Sequence, residues 1–187
     1  MSGTEKDYYH SLYEVAKVIN SSLDPSKVLH KISRQVTEAM KLKAASIRLL
    51  DKEGKRLMLG SSYGLSKGYI RKGAVRVEKS GLDQEALSGR NVTIHNACSD
   101  PRFQYPEKAK EEGIASVVVI PLKIEDQYIG VLRGYSETCR EFTDEEIEFL
   151  TIVANLSAIA IENARLHQKL KLDCELQEAF EYRLFED

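Results

Sequence analysis

The chain has 187 residues, enough for one sizeable core with terminal extensions and short for two independent domains. Its 27 Lys+Arg stand against 29 Asp+Glu, a formal net charge of −2, so no overall field draws it towards nucleic acid or an anionic membrane. No apolar run reaches bilayer length and the opening MSGTEKDYYHSL lacks the plan of a signal peptide, so a cytoplasmic protein without membrane contact is expected.

Tyr8, Leu12, Val15, Ile19 and Leu23 recur every three or four residues and predict an amphipathic helix from about Glu5 to Ser22. Asp24-Pro25 reads as an N-cap followed by proline at the first helical position, where its missing N–H costs nothing. The helix that follows has an apolar face of Val28, Leu29, Ile32, Val36, Ala39 and Met40. Ala44 to Leu50 and Leu57 to Tyr63 are strand candidates, joined by a turn at Asp51-Lys52-Glu53-Gly54. Gly64 to Gly73, with three glycines and Lys67, Arg71 and Lys72, reads as a mobile surface loop. It lacks GxxxxGK[ST] or GxGxxG spacing, which argues against a phosphate cradle.

Ala74 to Val77 predicts a brief strand. Ser80 is placed to cap a helix over Gly81 to Ser88, with Asp83 completing a capping box and Gly89 ending the helix. Asn91 to His95 alternates like a strand, Asn96 to Tyr105 has the composition of an irregular loop, and Pro106 to Glu112 predicts a short helix closed by Gly113.

The strongest local signal is Ser116 to Tyr135, SVVVIPLKIEDQYIGVLRGY. Two runs rich in β-branched and aromatic residues flank the polar Glu125-Asp126-Gln127 and predict a β-hairpin. Val118, Ile120 and Leu122 would face one way and Val117 and Val119 the other, so this strand is covered on both sides. Thr143-Asp144-Glu145-Glu146 then forms a T-x-x-E capping box with acidic residues in the first turn. Along the helix it opens, Ile147, Leu150, Ala154, Ala158 and Ile161 share one side. Ile152, Leu156, Ile159, Leu166 and Leu170 share nearly the opposite side, and Leu176, Phe180 and Leu184 prolong the apolar stripe. A helix with two apolar faces needs a second layer or a second subunit, which points to self-association through a coiled-coil-like tail.

Three motifs carry a family resemblance: Ser116-Val-Val-Val-Ile-Pro121-Leu122, Ile129-Gly130-Val131-Leu132, and Phe142-Thr143-Asp144-Glu145. In this order of elements the chain resembles the GAF domain over roughly residues 24 to 162. The resemblance implies an α+β fold, similar in layout to PAS domains: an antiparallel sheet with helices on one face and a loop-covered pocket on the other. Residues 1–23 look like a connecting, dimerising helix and residues 163–187 like a helical extension. GAF domains of phosphodiesterases that bind cyclic nucleotides carry Asn-Lys and Asp-Glu pairs where this chain has Ser136-Glu137 and Glu146-Ile147, so that signature is broken. No cysteine neighbours a histidine, as bilin attachment would need.

Free-methionine-sulfoxide reductases of this fold need paired cysteines. Here Cys98, Cys139 and Cys174 are scattered without CxxC or metal-ligand spacing, so reduced thiols and no metal centre are expected. Cys98 is the redox candidate, as a thiol sensor or in a reductase-like enzyme. His95 and Asp100 flank it, and strand-end polarity and turn capping explain both without chemistry. The resemblance implies that Tyr63, Tyr69, Phe103, Tyr105, Val118 and Tyr135 lie on segments that border the pocket, with Arg90, Asn96 and Asp100 as its polar contacts. The expectation is a non-catalytic signal-transduction sensor: a homodimer, paired through its terminal helices, that binds a small molecule of unknown identity and relays to an effector domain or partner protein. The alternatives are the Cys98 chemistry and a ligand-free dimerisation module.

Overall fold

The computed structural model describes residues 3–22 and 24–184, so Leu23 of the first stripe lies outside the described residues, as do the side chains of Phe180 and Leu184. The first helix, α1 (Gly3–Ser21), buries Val15 and packs Tyr8, Leu12 and Ile19 against the core, as their spacing predicts. Asp24 caps α2 (Pro25–Ala39): its Oδ1 accepts from the backbone N–H of Ser26 at 3.0 Å and of Lys27 at 3.4 Å.

Two strands follow, β1 (Ala44–Leu50) and β2 (Arg56–Tyr63). The stretch read as a mobile loop holds a single helical turn, α3 (Lys67–Ile70). Ser66 Oγ caps it by accepting from the Tyr69 N–H at 3.1 Å, and burial of Tyr69 draws the segment onto the protein. Gly64 enters this turn at φ +82, and a methyl group there would collide with the Lys43 carbonyl.

The chain continues through β3 (Val75–Arg76), a 3₁₀ turn, α4 (Gly81–Leu87), β4 (Val92–Ile94) and α5 (Pro106–Glu112), which Gly113 ends in the left-handed region at φ 71. The hairpin forms as β5 (Ser116–Ile124) and β6 (Gln127–Ser136), with Glu125 at the turn at φ 50.

The described strands build a six-stranded antiparallel sheet in the order β3-β2-β1-β6-β5-β4. Gly130 of β6 lies so close to β1 that a Cβ would strike the Arg48 carbonyl. Alternation along β5 divides the interior as predicted. Val118, Ile120 and Leu122 join the core under the helices, whereas Val117 and Val119 join a second core on the other face.

The last helix, α6 (Asp144–Leu184), opens with the predicted capping box: the Glu146 N–H donates to Thr143 Oγ1 at 3.3 Å, and the Thr143 N–H donates to Glu146 Oε2 at 3.0 Å. It lies on β5 and β6, with α1 and α2 beside it. Leu150, Ala154 and Ala158 are buried there, while Ile152, Ile159, Leu166 and Leu170 are exposed on the other side. The expectation that no segment is long and apolar enough for a bilayer needs correcting, because α6 meets that test by length and composition. Much of its apolarity is spent on the sheet, against which Leu150, Val153, Ala154 and Ala158 are buried.

Candidate functional site

The site forms on the sheet face opposite α1, α2 and α6. In the antiparallel pairing of β1 with β6, Ala44 stands opposite Tyr135, Ser46 opposite Arg133 and Arg48 opposite Val131. Alternation then sends Ser46, Arg48, Arg133 and Tyr135 to one face, and Ile47 and Leu132 to the helix core. Arg48 is 1% exposed and Arg133 2%.

Over this floor, α4 supplies Asp83, fully buried and ion-paired with Arg133 Nη2. From α3 comes Tyr69, whose ring meets that of Tyr135 edge-on at 6.2 Å between centroids. Lys72, just beyond α3, places Nζ 3.3 Å from the Tyr69 ring centroid and 5.2 Å from that of Tyr105. Ser46 Oγ and the Tyr135 hydroxyl are hydrogen-bonded at 3.0 Å, and Arg48 Nη1 donates to the Leu57 carbonyl at 3.3 Å. The α3 turn is tied to α5 by Glu112, whose Oε1 accepts from the Ser66 N–H at 2.7 Å and whose Oε2 accepts from the Ser66 hydroxyl.

The electrostatics are unbalanced. Arg133 pairs with the buried Asp83 carboxylate, whereas Arg48 and Lys72 make no salt bridge among the described residues, and Lys72 feels the Asp83 and Glu112 carboxylates at a distance. Burial, together with the neighbouring Arg133 charge, lowers the Arg48 guanidinium. Burial is the largest influence on the Arg133 guanidinium and works against its charge, but the Asp83 carboxylate and the Tyr135 and Tyr69 phenols together outweigh it and the pKa rises. Burial, reinforced by the charges of Arg133 and Arg48, pulls Lys72 down to about 6. Burial also pushes the Tyr69 phenol up. Arg48 Nε, Arg133 Nε, Lys72 Nζ and the Tyr69 hydroxyl are buried without a hydrogen-bond partner among the described residues. Buried polar groups are seldom left so.

Of the residues expected at the pocket, Tyr69, Phe103, Tyr105 and Tyr135 do gather on this face. Val118 does not, because its position on β5 has the parity of the helix core; Val117 and Val119 face the site instead. Tyr63 also turns to the helix side, where its ring meets that of His30 on α2 at 6.0 Å. Arg90 is exposed. Asn96 serves its own loop, accepting from the Cys98 N–H at 3.0 Å, and Asp100 is engaged by Arg102 at 2.7 Å. Cys98 is exposed and unpaired, like Cys139 and Cys174, and the described residues contain no cluster suited to a metal ion.

Arg48, Lys72, Asp83 and Arg133 were not anticipated. The signal for the two arginines was present, as a charge inside the apolar strands SIRLL and VLRGY. Asp83 was read as half of a capping box, but its carboxylate turns to the sheet and Ser80 makes no side-chain cap. A surface concavity of about 520 Å³ beside β2, β3 and α4 is lined by exposed side chains such as Lys55, Arg56 and Arg76 and lies apart from the buried cluster. A concavity walled by solvated side chains has no preorganised polar group, and the buried cluster is the stronger candidate.

A family model of the GAF domain matches residues 24–161. The Nif-specific regulatory protein of Herbaspirillum seropedicae is 26% identical over 181 residues, which cover 89% of this chain and 33% of that protein. The chain therefore spans about a third of the length of that relative. Among solved structures, the GAF domain of a phosphoenolpyruvate-protein phosphotransferase from Coxiella burnetii superposes with a TM-score of 0.78 at 18% identity, covering 90% of this chain and 99% of that one. A free methionine-R-sulfoxide reductase from Neisseria meningitidis, in complex with its substrate, gives 0.75 at 20% identity, covering 89% and 95%. Both structural likenesses bear on the fold, and the sequence relative is a regulatory protein. The chain belongs to the GAF domain family, with the antiparallel sheet and the helix layer that its sequence resemblance implied.

Proposed function

We propose that this GAF domain is a non-catalytic sensor: a small molecule occupies the Arg48–Arg133–Tyr69 face of the sheet, and a second copy of the chain covers the exposed face of α6. The observation that carries this reading is that the same strands serve both. On β6, Arg133 and Tyr135 face the site, while Leu132 between Val131 and Arg133 faces the helix core. A shift of β6 on ligand binding is thereby felt under α6. Binding moves the helices only to the extent that the ligand prefers one of their arrangements.

The pairing surface has its own support. Ile152, Leu156, Ile159, Asn163, Leu166 and Leu170 alternate spacings of four and three, the heptad seam of a coiled coil with one polar core residue to set its register. Ile152, Ile159, Leu166 and Leu170 are all exposed on one chain. A groove of about 360 Å³ between α1, α2 and α6, lined by Ile19, Val28, Leu166 and Leu170, continues this surface.

Native mass spectrometry of the freshly purified chain tests both parts. The expected spectrum is a dimer carrying a non-covalent small-molecule mass, and Leu166→Glu should give a folded monomer. A wild-type monomer overturns the pairing, and an empty protein that no metabolite stabilises overturns the sensing. A ligand-free dimerisation module is the second reading, favoured by Tyr69 and Lys72 reaching into the space above the arginines.

A further inference from the structure

We propose that the molecule taken by this site carries a small oxyanion, a carboxylate or phosphate group, held by Arg48, Arg133 and Lys72 beneath Tyr69. The proposal rests on the sensor reading above and names the ligand class.

Charge decides the class. Arg48 and Arg133 come from adjacent strands to the same face, and Lys72 lies over them from the end of α3. Asp83 is the carboxylate buried with them, and its Oδ2 is already engaged by Arg133 Nη2. Among the described residues the cluster holds four buried donors without partners, Arg48 Nε, Arg133 Nε, Lys72 Nζ and the Tyr69 hydroxyl, against one unpartnered acceptor, Asp83 Oδ1, and its two arginines outnumber that carboxylate. Buried donors left unpaired and buried cations left without counter-charge both destabilise a fold. A single oxyanion offers several acceptor lone pairs and a negative charge together, and so answers both deficits. A neutral ligand would answer only the first, and a cationic one neither.

Lys72 marks the entrance. Its residue is half-buried while its Nζ is enclosed, so the side chain runs from the surface to the arginines. Its Nζ rests on the faces of Tyr69 and Tyr105, contacts that leave its hydrogen-bonding capacity unused. The ionisable groups acting on Lys72 are Arg133, Arg48, Asp83 and Glu112, with the two tyrosine rings against it. A bound anion would raise the lysine from its depressed value near 6, so binding at neutral pH is accompanied by proton uptake.

Isothermal titration calorimetry of the full chain at neutral pH and fixed ionic strength provides the test, with sodium succinate, sodium acetate and inorganic phosphate as probes. Saturable binding of at least one probe is expected, weakened about tenfold or more in Lys72→Met and Arg48→Met. Repeating the titration in buffers of different ionisation enthalpy should reveal proton uptake in the wild type that Lys72→Met abolishes. Binding of succinate or acetate alone assigns a carboxylate, of phosphate alone a phosphate, and of both an oxyanion site without preference. Circular dichroism checks each variant; should Arg48→Met not fold, the half-buried Lys72 carries the comparison. The proposal is overturned if no probe binds, or if both folded variants bind as the wild type does. A neutral compound found bound by native mass spectrometry while every anion fails would remove the oxyanion and leave the sensor reading standing. A chain empty in both experiments would remove the two together.

Discussion

The two faces of the sheet solve the problem of burial in different ways. Under α1, α2 and α6 the interior is apolar, and its few buried hydroxyls are satisfied locally. Ser33 Oγ donates to the Leu29 carbonyl at 3.0 Å, Thr37 Oγ1 to the Ser33 carbonyl at 2.8 Å and Ser157 Oγ to the Val153 carbonyl at 2.7 Å. On the opposite face two arginines, an aspartate and the Nζ of a lysine are enclosed, and among the described residues four donors and Asp83 Oδ1 lack partners. The helix face closes on itself once folded. The other face holds polar groups whose requirements the chain does not meet, and such deficits concentrate where a protein binds something.

The contrast is sharpest on β6, where adjacent residues belong to different faces. Arg133→Met should be the most damaging change, costing about 4 kcal/mol, because it leaves the Asp83 carboxylate buried without a partner. Urea denaturation would measure this, and the double variant Arg133→Met with Asp83→Leu should recover most of the loss. If the single and double variants are equally unstable, the ion pair is not what holds α4 to the sheet. Leu132→Ala, one residue away, should cost about 3 kcal/mol by opening a cavity under the helices. No second substitution among the charged residues would restore that loss, since its origin is packed volume.

The smallest effect is expected at Lys72, and its sign is opposite. Its folded pKa is near 6 against an ordinary 10.5, so across that window the unfolded chain holds a proton that the folded chain has released. Stability therefore rises with pH between about 6 and 10, and the penalty is largest at and below pH 6. Lys72→Met should stabilise the unliganded protein by about 1–2 kcal/mol near neutral pH and flatten the profile. A thermal melt series over pH distinguishes this from a solvated lysine, whose replacement would leave the slope unchanged.

Much of the fold was legible from local chemistry. The Asp24-Pro25 cap, the Thr143/Glu146 capping box, the left-handed Gly113 and the two-sided β5 all form where their residue types predict. Each depends on residues within a few positions of one another, where sequence and structure are nearly the same information. The site was less legible. Tyr69, Phe103, Tyr105 and Tyr135 share one face because they sit on segments that the family's arrangement brings together there. Val118 and Tyr63 were misplaced because strand parity decides between faces, and borderline positions at a strand's end or middle do not declare it.

The sequence by itself determined the family, most of the order of elements and the caps at Asp24 and Thr143, because these follow from periodicity and short-range hydrogen bonding. Only the tertiary structure decided that Arg48 and Arg133 share a buried face, that Asp83 reaches across from α4 rather than capping it, and that Lys72 folds in over them. Those relations join residues far apart in the chain, 50 positions in the case of Asp83 and Arg133. A charge in a strand reads as solvent-facing until its neighbours are known, and only the register of β1 against β6, with α3 and α4 laid over it, turns these four into one buried group.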